Sequence, residues 1–409
     1  MLSRLAFIII IFLLVETYSF FAIKRVFHSK KAIATYSICS LLILIYFIYT
    51  ISGFNRFAGQ SQHSLLVLAF LLLYLLTKAT VSTFLLMEDM YRMFALVFNY
   101  FFRKENQKMI PSRRKFVSQI ALGVAAIPFF SILYGIIEGK YNFKVIKKAV
   151  FFDDLPDSFD GLKVMQLSDI HCGSFDNKEK IKYAIDLINQ QDFDILLFTG
   201  DLVNNFAEEM TPWLENFRQI KNPKYGKYSV LGNHDYGEYT IWTSDSDKQK
   251  NFEDIKKLHQ KIGFNLLLNE AVYIEKEADK IAIVGVENWG NNFKKAGDLN
   301  KASENLTRED FKILLSHDPS HFELEVKNHQ KNFQLTLSGH THGLQFGVEI
   351  PDVFKWSPVQ YVYKHWAGLY RDSGKFLYVN RGFGFHAYSG RVGIWPEITV
   401  LELKKIQKG

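Results

Sequence analysis

Cysteine is nearly absent. Two occur in 409 residues: Cys39 inside an apolar run and Cys172 directly after a motif histidine, with no plausible pairing between them. A disulfide framework is excluded, and cysteine says little about compartment. Cys172 is expected to be a small loop residue rather than a soft metal ligand, because the ligand set developed below is complete without it. Internal repeats and a low-complexity linker are also lacking. So is any basic stripe in the second half of the chain. Residues 1–150 carry 18 Lys and Arg against 5 Asp and Glu, which leaves 31 against 37 for residues 151–409. Binding a phosphate backbone needs clustered positive charge, so no nucleic-acid partner is expected.

Charge is scarce, too, in four long runs near Leu5–Ile23, Ala34–Ile51, Leu65–Met87 and Phe116–Ile137. Each is long enough to cross a hydrocarbon core of about 30 Å. Residues 1–139 therefore read as a transmembrane region with four spans, and residues 140–409 as a separate domain. No small-residue cleavage site follows the first run, so it is a retained anchor rather than a signal peptide. The first connecting loop carries Lys24, Arg25, Lys30 and Lys31, and the second only Arg56. The third carries Arg92, Arg103, Lys104, Lys108, Arg113, Arg114 and Lys115. The positive-inside rule makes loops one and three cytoplasmic and puts the C-terminal domain outside. Ser112-Arg113-Arg114-Lys115-Phe116-Val117 resembles a twin-arginine export motif. The other reading is a plain topology anchor, and both give the same orientation. Lys78, inside the third run, is expected to snorkel to the end of its span.

What is present after Lys140 is a different pattern. Strand candidates are Phe143–Phe152, Leu162–Leu167, Ile195–Thr199, Tyr228–Leu231, Ile281–Val286, Phe311–Leu315, Phe333–Leu337, Phe376–Val379 and Ile398–Leu403, with a crossover helix at Lys178–Gln191. This is an α/β alternation. Five strands run into polar motifs: Ser168-Asp169-Ile170-His171, Gly200-Asp201, Gly232-Asn233-His234-Asp235, Ser316-His317-Asp318-Pro319, and Ser338-Gly339-His340-Thr341-His342-Gly343. The C-terminal strand edge is where open α/β sheets bind ligands. A two-metal centre that hydrolyses phosphate esters needs hard oxygen donors, imidazoles and one carboxylate able to bridge. Glycines beside Asp201, Asn233 and His340 allow close approach of backbone to a ligand.

The order Asp-x-His, Gly-Asp, Gly-Asn-His-Asp, His and Gly-His-x-His resembles the calcineurin-like metallophosphoesterase superfamily across residues 141–409. Asp154-Leu155-Pro156, Asp160-Gly161-Leu162 and Asn380-Arg381-Gly382-Phe383-Gly384 are similar to its bacterial, membrane-anchored branch. The resemblance implies a four-layer αββα sandwich. It implies one divalent metal on Asp169, His171 and His342, a second on Asn233, His317 and His340, and Asp201 bridging them. Manganese, iron and zinc all suit these donors. His234 would stay off the metals and act as general acid after attack by a bridging hydroxide. One departure is Asn204, where some members carry an Asp that orients the catalytic histidine. Either Asp235 takes that role or His234 rests with a lowered pKa. Arg381, His386 and Arg391 either border the site and grip phosphate or form a surface turn. His259, His321, His329 and His365 are expected to be ordinary surface or core residues. The aromatic stretch Trp356, Tyr361, Tyr363, Trp366 and Tyr370 is expected in the core, with a membrane-interface or lipid-cleft role as its alternative.

The function expected is a metal-dependent phosphohydrolase acting on phosphodiesters or pyrophosphate-linked lipids at the outer face of a bacterial cytoplasmic membrane. Alternatives are a phosphomonoesterase for phosphoproteins or nucleotides, and a non-catalytic metal-binding membrane scaffold.

Overall fold

The computed structural model describes residues 2–53, 59–102, 111–291, 293–351 and 353–407, with the side chains of residues 2–8, 51, 111 and 112 set aside. Arg56, Arg103, Lys104 and Lys108, and the side chains of Ser112 and of the start of the first apolar run, lie outside the described residues. The chain divides into two compact units, residues 1–54 with 66–136 and residues 55–65 with 137–409.

The second unit is built on two six-stranded sheets. One holds β1 (Lys144–Phe152), β14 (Glu397–Lys405), β2 (Lys163–Leu167), β3 (Ile195–Phe198), β4 (Lys227–Ser229) and β5 (Asn265–Leu266), in that spatial order. The other holds β12 (Gly368–Asp372), β13 (Lys375–Val379), β9 (Leu335–Ser338), β8 (Phe311–Leu315), β7 (Asp279–Gly285) and β6 (Glu270–Lys276). A separate antiparallel hairpin joins β10 (Val348–Ile350) to β11 (Phe354–Trp356).

Strand alternation makes the layers. On β2 and β3, Val164 and Leu197 point to a cluster shared with Ile283, Ile313 and Leu335 of the other sheet. Their neighbours Met165, Leu167 and Phe198 point the opposite way, onto Ile181, Ile185 and Ile188 of the helix Lys178–Asn189. On the second sheet Val284, Leu314 and Val379 likewise face outward, against Phe322 and Val326. Side chains of period two thus fill three apolar layers, one between the sheets and one under each set of helices. The result is the four-layer αββα sandwich. All nine expected strands are present within a few residues. The strands without a clear sequence signal are β5, β6 and β12, which lie at sheet edges, and the hairpin. An edge strand is half solvated, and its sequence is accordingly mixed.

The first unit contains α1 (Leu2–Val26), α2 (Lys30–Ser52), α3 (Gln62–Phe102) and α4 (Pro111–Ile137). Among the described residues three helices are long and apolar enough to cross a membrane: Lys30–Thr50, Gln62–Phe102 and Arg113–Ile137. The first expected span falls in α1. α3 does not end near Met87 as its apolar run suggests. It has 41 residues, about 60 Å at 1.5 Å per residue, roughly twice the hydrocarbon thickness. No Gly or Pro interrupts it, and Glu88 accepts from Arg92 one turn on at 2.6 Å. Arg114 of the twin-arginine-like pair binds Asp89 at 2.9 Å, and Arg113 lies over the Tyr91 ring.

Lys78 does not snorkel. Its ammonium pairs with Glu16 of α1 and donates to Tyr36 (2.8 Å) and Ser40 (3.1 Å) of α2 and to Tyr74 (2.7 Å). A charge held by an opposite charge and three hydroxyls has no need to reach water. Removing one partner leaves the other uncompensated in an apolar interior. We expect Lys78→Met to destabilise the full chain in detergent by on the order of 3 kcal/mol. Lys78→Met combined with Glu16→Gln should cost less than Lys78→Met alone. Thermal unfolding of the two variants checks the order, and a double variant no better than the single would remove the pairing from the account.

Candidate metal centre

The motif-bearing strands β2, β3 and β4 run parallel in one sheet and β8 and β9 run parallel in the other, so within each sheet the motifs fall on one edge, and the contacts below join the two edges. The chain there is forced into unusual backbone. Asp169, His171, Asp201, His340 and His342 all take positive φ, between 46° and 71°. Such conformations cost on the order of 1–3 kcal/mol each for a side-chain-bearing residue and persist only where the surroundings over-determine them. The surroundings do so by close contact. A Cβ on Gly339 would lie 1.9 Å from Ser168 Oγ and 2.2 Å from Asp169 Oδ2, and one on Gly232 would lie 2.2 Å from Asp201 Oδ1. Hydrogen bonds then lock the crossing: the His340 amide donates to Asp169 Oδ1 (2.9 Å) and the His234 amide to Asp201 Oδ1 (2.8 Å).

Each imidazole is oriented from behind. His317 Nδ1 donates to the Thr199 carbonyl at 2.7 Å, which turns Nε2 toward Asp201 Oδ2 at 3.1 Å. His171 Nδ1 donates to Asn204 Oδ1 at 3.1 Å, and its Nε2 stands 3.5 Å from the same Asp201 oxygen. His340 is reversed: Nε2 meets the Tyr363 hydroxyl at 2.7 Å, and Nδ1 faces Asn233 Oδ1 at 2.9 Å. The Asn233 amide nitrogen donates to Tyr239, which leaves its oxygen for the centre. His342 Nε2 lies 3.3 Å from Asp169 Oδ1 and, although buried, has no hydrogen-bond partner.

The seven expected ligands thus converge. Asp169, His171 and His342 bring one ligand atom each to within 4.8 Å of one another, as do Asp201, His317 and His340. The electrostatics ask for positive charge. Burial would push Asp201 up, but His317 and His234 hold it well below the usual carboxylate range. Burial would push His317 down, yet Asp201 and Asp169 raise it to about 10. Burial also drives His171 well below its usual range and His340 to about 4, so these rings are neutral donors. Two carboxylates, an amide oxygen and four imidazoles, one of them His342 with its orphaned buried nitrogen, are donors that fit two divalent cations.

His234 belongs to neither of these two groups; its ring nitrogen converges instead with those of His171 and His386, in a group without a carboxylate. Its Nδ1 donates to the Asn204 carbonyl at 2.8 Å, and its ring stacks on Tyr239 with centroids 4.2 Å apart. Burial lowers its pKa. Asn204 therefore serves two histidines, through its side chain for His171 and its backbone for His234. Asp235 does not orient His234. Its carboxylate accepts the backbone amides of Asp201, Leu202, Val203 and Gly232, at 2.9–3.3 Å, and pins the two loops together.

Arg381 does not grip phosphate here, because Glu349 and Glu397 take up its guanidinium. Arg391 is fully buried and donates to carbonyls of Arg381, Gly382, Gly384 and Ile394. The same Arg391 also lies 3.1 Å from His342 Nδ1, behind that ring, and His386 of the segment enters the centre itself, with its ring 4.3 Å from His234 and 4.6 Å from His171. Tyr239 and Tyr363 were not singled out by their motifs. Tyr239 sits in no pattern, and Tyr363 was read with an aromatic stretch in which Trp366 is indeed core.

Two family models match the chain: "Probable Calcineurin-like phosphoesterase, transmembrane domain" over residues 3–140 and "Calcineurin-like phosphoesterase" over residues 162–344. The uncharacterized metallophosphoesterase YkuE of Bacillus subtilis is 31% identical over 257 residues, 61% of this chain and 82% of that protein. An uncharacterized metallophosphoesterase of Helicobacter pylori strain J99 is 27% identical over 414 residues, 98% of both chains. A zebrafish transmembrane protein with metallophosphoesterase domain is 27% identical over 281 residues. That match takes 67% of this chain but spans only 60% of the zebrafish protein's length.

Tyr363→Phe removes the hydroxyl behind His340 and should weaken metal binding by about tenfold, the lower end for loss of a group that orients a ligand. Titration with manganese followed by metal analysis reads this directly. Gly339→Ala should abolish metal binding, since its methyl occupies the place of Asp169; full occupancy in that variant would contradict the packing described.

Proposed function

The chain belongs to the calcineurin-like metallophosphoesterases and carries a membrane-spanning region ahead of its phosphoesterase domain, and from that premise we propose a phosphodiesterase or lipid pyrophosphatase at the outer face of a bacterial cytoplasmic membrane. Asp169, His171 and His342 would hold one divalent cation, and Asn233, His317 and His340 the other. Asp201 would serve both, because one of its oxygens lies near His171 and His317 at once. Manganese, iron or zinc, when bound, would supply an activated water and neutralise phosphoryl oxygens.

The observation that carries the catalytic reading is the position of His234, which borders both ligand groups without joining either carboxylate-containing one. Its Nδ1 proton is committed to a carbonyl, which leaves Nε2 to hand a proton to the leaving oxygen. Burial lowers the pKa of this ring, and the nearby Asp201 carboxylate and the carbonyl oppose that by favouring its charged form. A structural metal site has no use for such a group, which counts against the scaffold alternative.

The orientation reading rests on the basic loops and on one further fact. Residues 55–65, which run from the second loop into the first turn of α3, group with residues 137–409, and the Ser389 amide donates to the Leu65 carbonyl at 3.0 Å. This supports a reading in which the second loop and the phosphoesterase domain share one side of the membrane. Arg113 and Arg114 suit this arrangement as anchors or as an export signal.

The test is hydrolysis by the full chain in detergent, loaded with manganese, on an aryl phosphodiester, an aryl monoester and a pyrophosphate-linked lipid. Diester or lipid should be preferred, and His234→Ala should lower turnover about 10²–10⁴-fold. Preference for the monoester would move the reading to a phosphomonoesterase. Asp201→Asn should abolish metal-dependent turnover. An enzyme reporter that works only outside the cytoplasm, fused at the C-terminus, should be active; activity of a cytoplasm-only reporter would reverse the topology.

A further inference from the structure

The hairpin β10–β11 is inverted. Two-stranded pairing sets Val348 opposite Trp356, Glu349 opposite Lys355 and Ile350 opposite Phe354. In a strand alternate residues share a face, so Val348, Ile350, Phe354 and Trp356 lie on one side and the two charges on the other. The charges point inward. Glu349 binds Arg381, and Lys355 binds the Ala367 carbonyl and the Tyr370 hydroxyl. The apolar side chains point outward, with Val348 51%, Ile350 53% and Phe354 53% exposed. An antiparallel sheet with one solvated face normally shows water its polar residues. Here the buried ion pair also fixes the register, since a slip of one residue would bury the apolar set and expose the charges.

The face is continuous with further exposed apolar residues on the chain around it. Leu344, 50% exposed, stands two residues after His342, and Tyr361 and Val362, 77% and 76% exposed, precede Tyr363. Tyr363 returns to the metal centre through its bond to His340. The apolar rim therefore begins and ends on residues that build the site. A contiguous exposed apolar patch of this kind marks a contact surface.

We propose that this hairpin is a foot that rests in the lipid interface beside the metal centre, and that the substrate phosphoester is presented by a membrane lipid. The bilayer is the occupant argued for because the same chain carries helices long and apolar enough to span it, so lipid is always within reach. Outward Phe354 among exposed aliphatic side chains, with Trp356 half-buried on the same face, is a composition that settles at such an interface. The lipid contact stands on the hairpin alone, whereas the substrate class rests on the phosphoesterase reading above.

The test uses the full chain in lipid nanodiscs. Cys39→Ser removes the exposed thiol, Cys172 is buried, and Ile350→Cys carries an environment-sensitive fluorophore. Brominated acyl chains should quench this label by half or more, while a label at Tyr183→Cys should be unaffected. Absence of quenching at position 350 overturns the foot, as does energy transfer between labelled copies in its place, which would assign the face to a second copy. In a second arm, Val348→Ser, Ile350→Ser and Phe354→Ser are combined, with metal content as the check on folding. Turnover of a nanodisc-embedded lipid phosphodiester relative to a water-soluble aryl diester should fall at least fivefold. An unmoved ratio overturns the substrate assignment. Quenching in a protein that hydrolyses neither ester retains the foot and removes the phosphoesterase reading.

Discussion

The centre depends on how closely four loops can cross at one sheet edge. Two glycines, Gly339 and Gly232, let neighbouring turns pass with no room for a methyl group against Asp169 and Asp201. That contact is what allows backbone amides to meet those carboxylates, and what holds five side-chain-bearing residues at positive φ. Loosen it and the strained turns relax toward ordinary backbone, each swinging its ligand atom away. The sandwich beneath supplies the stiffness, since β2, β3, β8 and β9 are buried on both faces.

The polar shell has the same economy of parts. Asp201 accepts an amide with one oxygen and faces two histidines with the other. Asn204 supports two imidazoles by different atoms, and Asp235 gathers four amides from two loops. Shared supports of this kind make single substitutions non-additive. In the same shell a main-chain carbonyl fixes the His234 ring, and burial lowers its pKa against the pull of the Asp201 carboxylate.

Much of this was legible in the chain. The motifs stood out because hard donors are out of place after buried strands, and the sandwich followed from strands of period two. The support of His171 by Asn204, and of His234 by a carbonyl, was not legible. A carbonyl has no residue type, and an Asn side chain carries no label for which of two histidines it faces. Lys78 was misjudged because its partner, Glu16, lies on another helix and far away in sequence. Arg381 reads from its Gly-rich segment as either a phosphate ligand or part of a surface turn, and it is neither: Glu349, from a hairpin too short to announce itself, and Glu397 take up its charge. α3 outran its apolar run because helix propensity and an i,i+4 ion pair continue where hydropathy stops.

One pairing bears on how the protein comes into being. β1, the first strand after α4, lies parallel to β14, the last strand, with Lys144 opposite Glu397. Among the described residues β14 in turn is what bridges β1 and β2 in that sheet. A chain made from its N-terminus thus cannot close the sheet until residues 397–405 are available. Pairing across so long a separation is slow, and the motif-bearing turns have no complete scaffold in the interval. Closure of this sheet therefore waits on a strand far downstream of β1, and a chain truncated before β14 would lack the strand that joins β1 to its core.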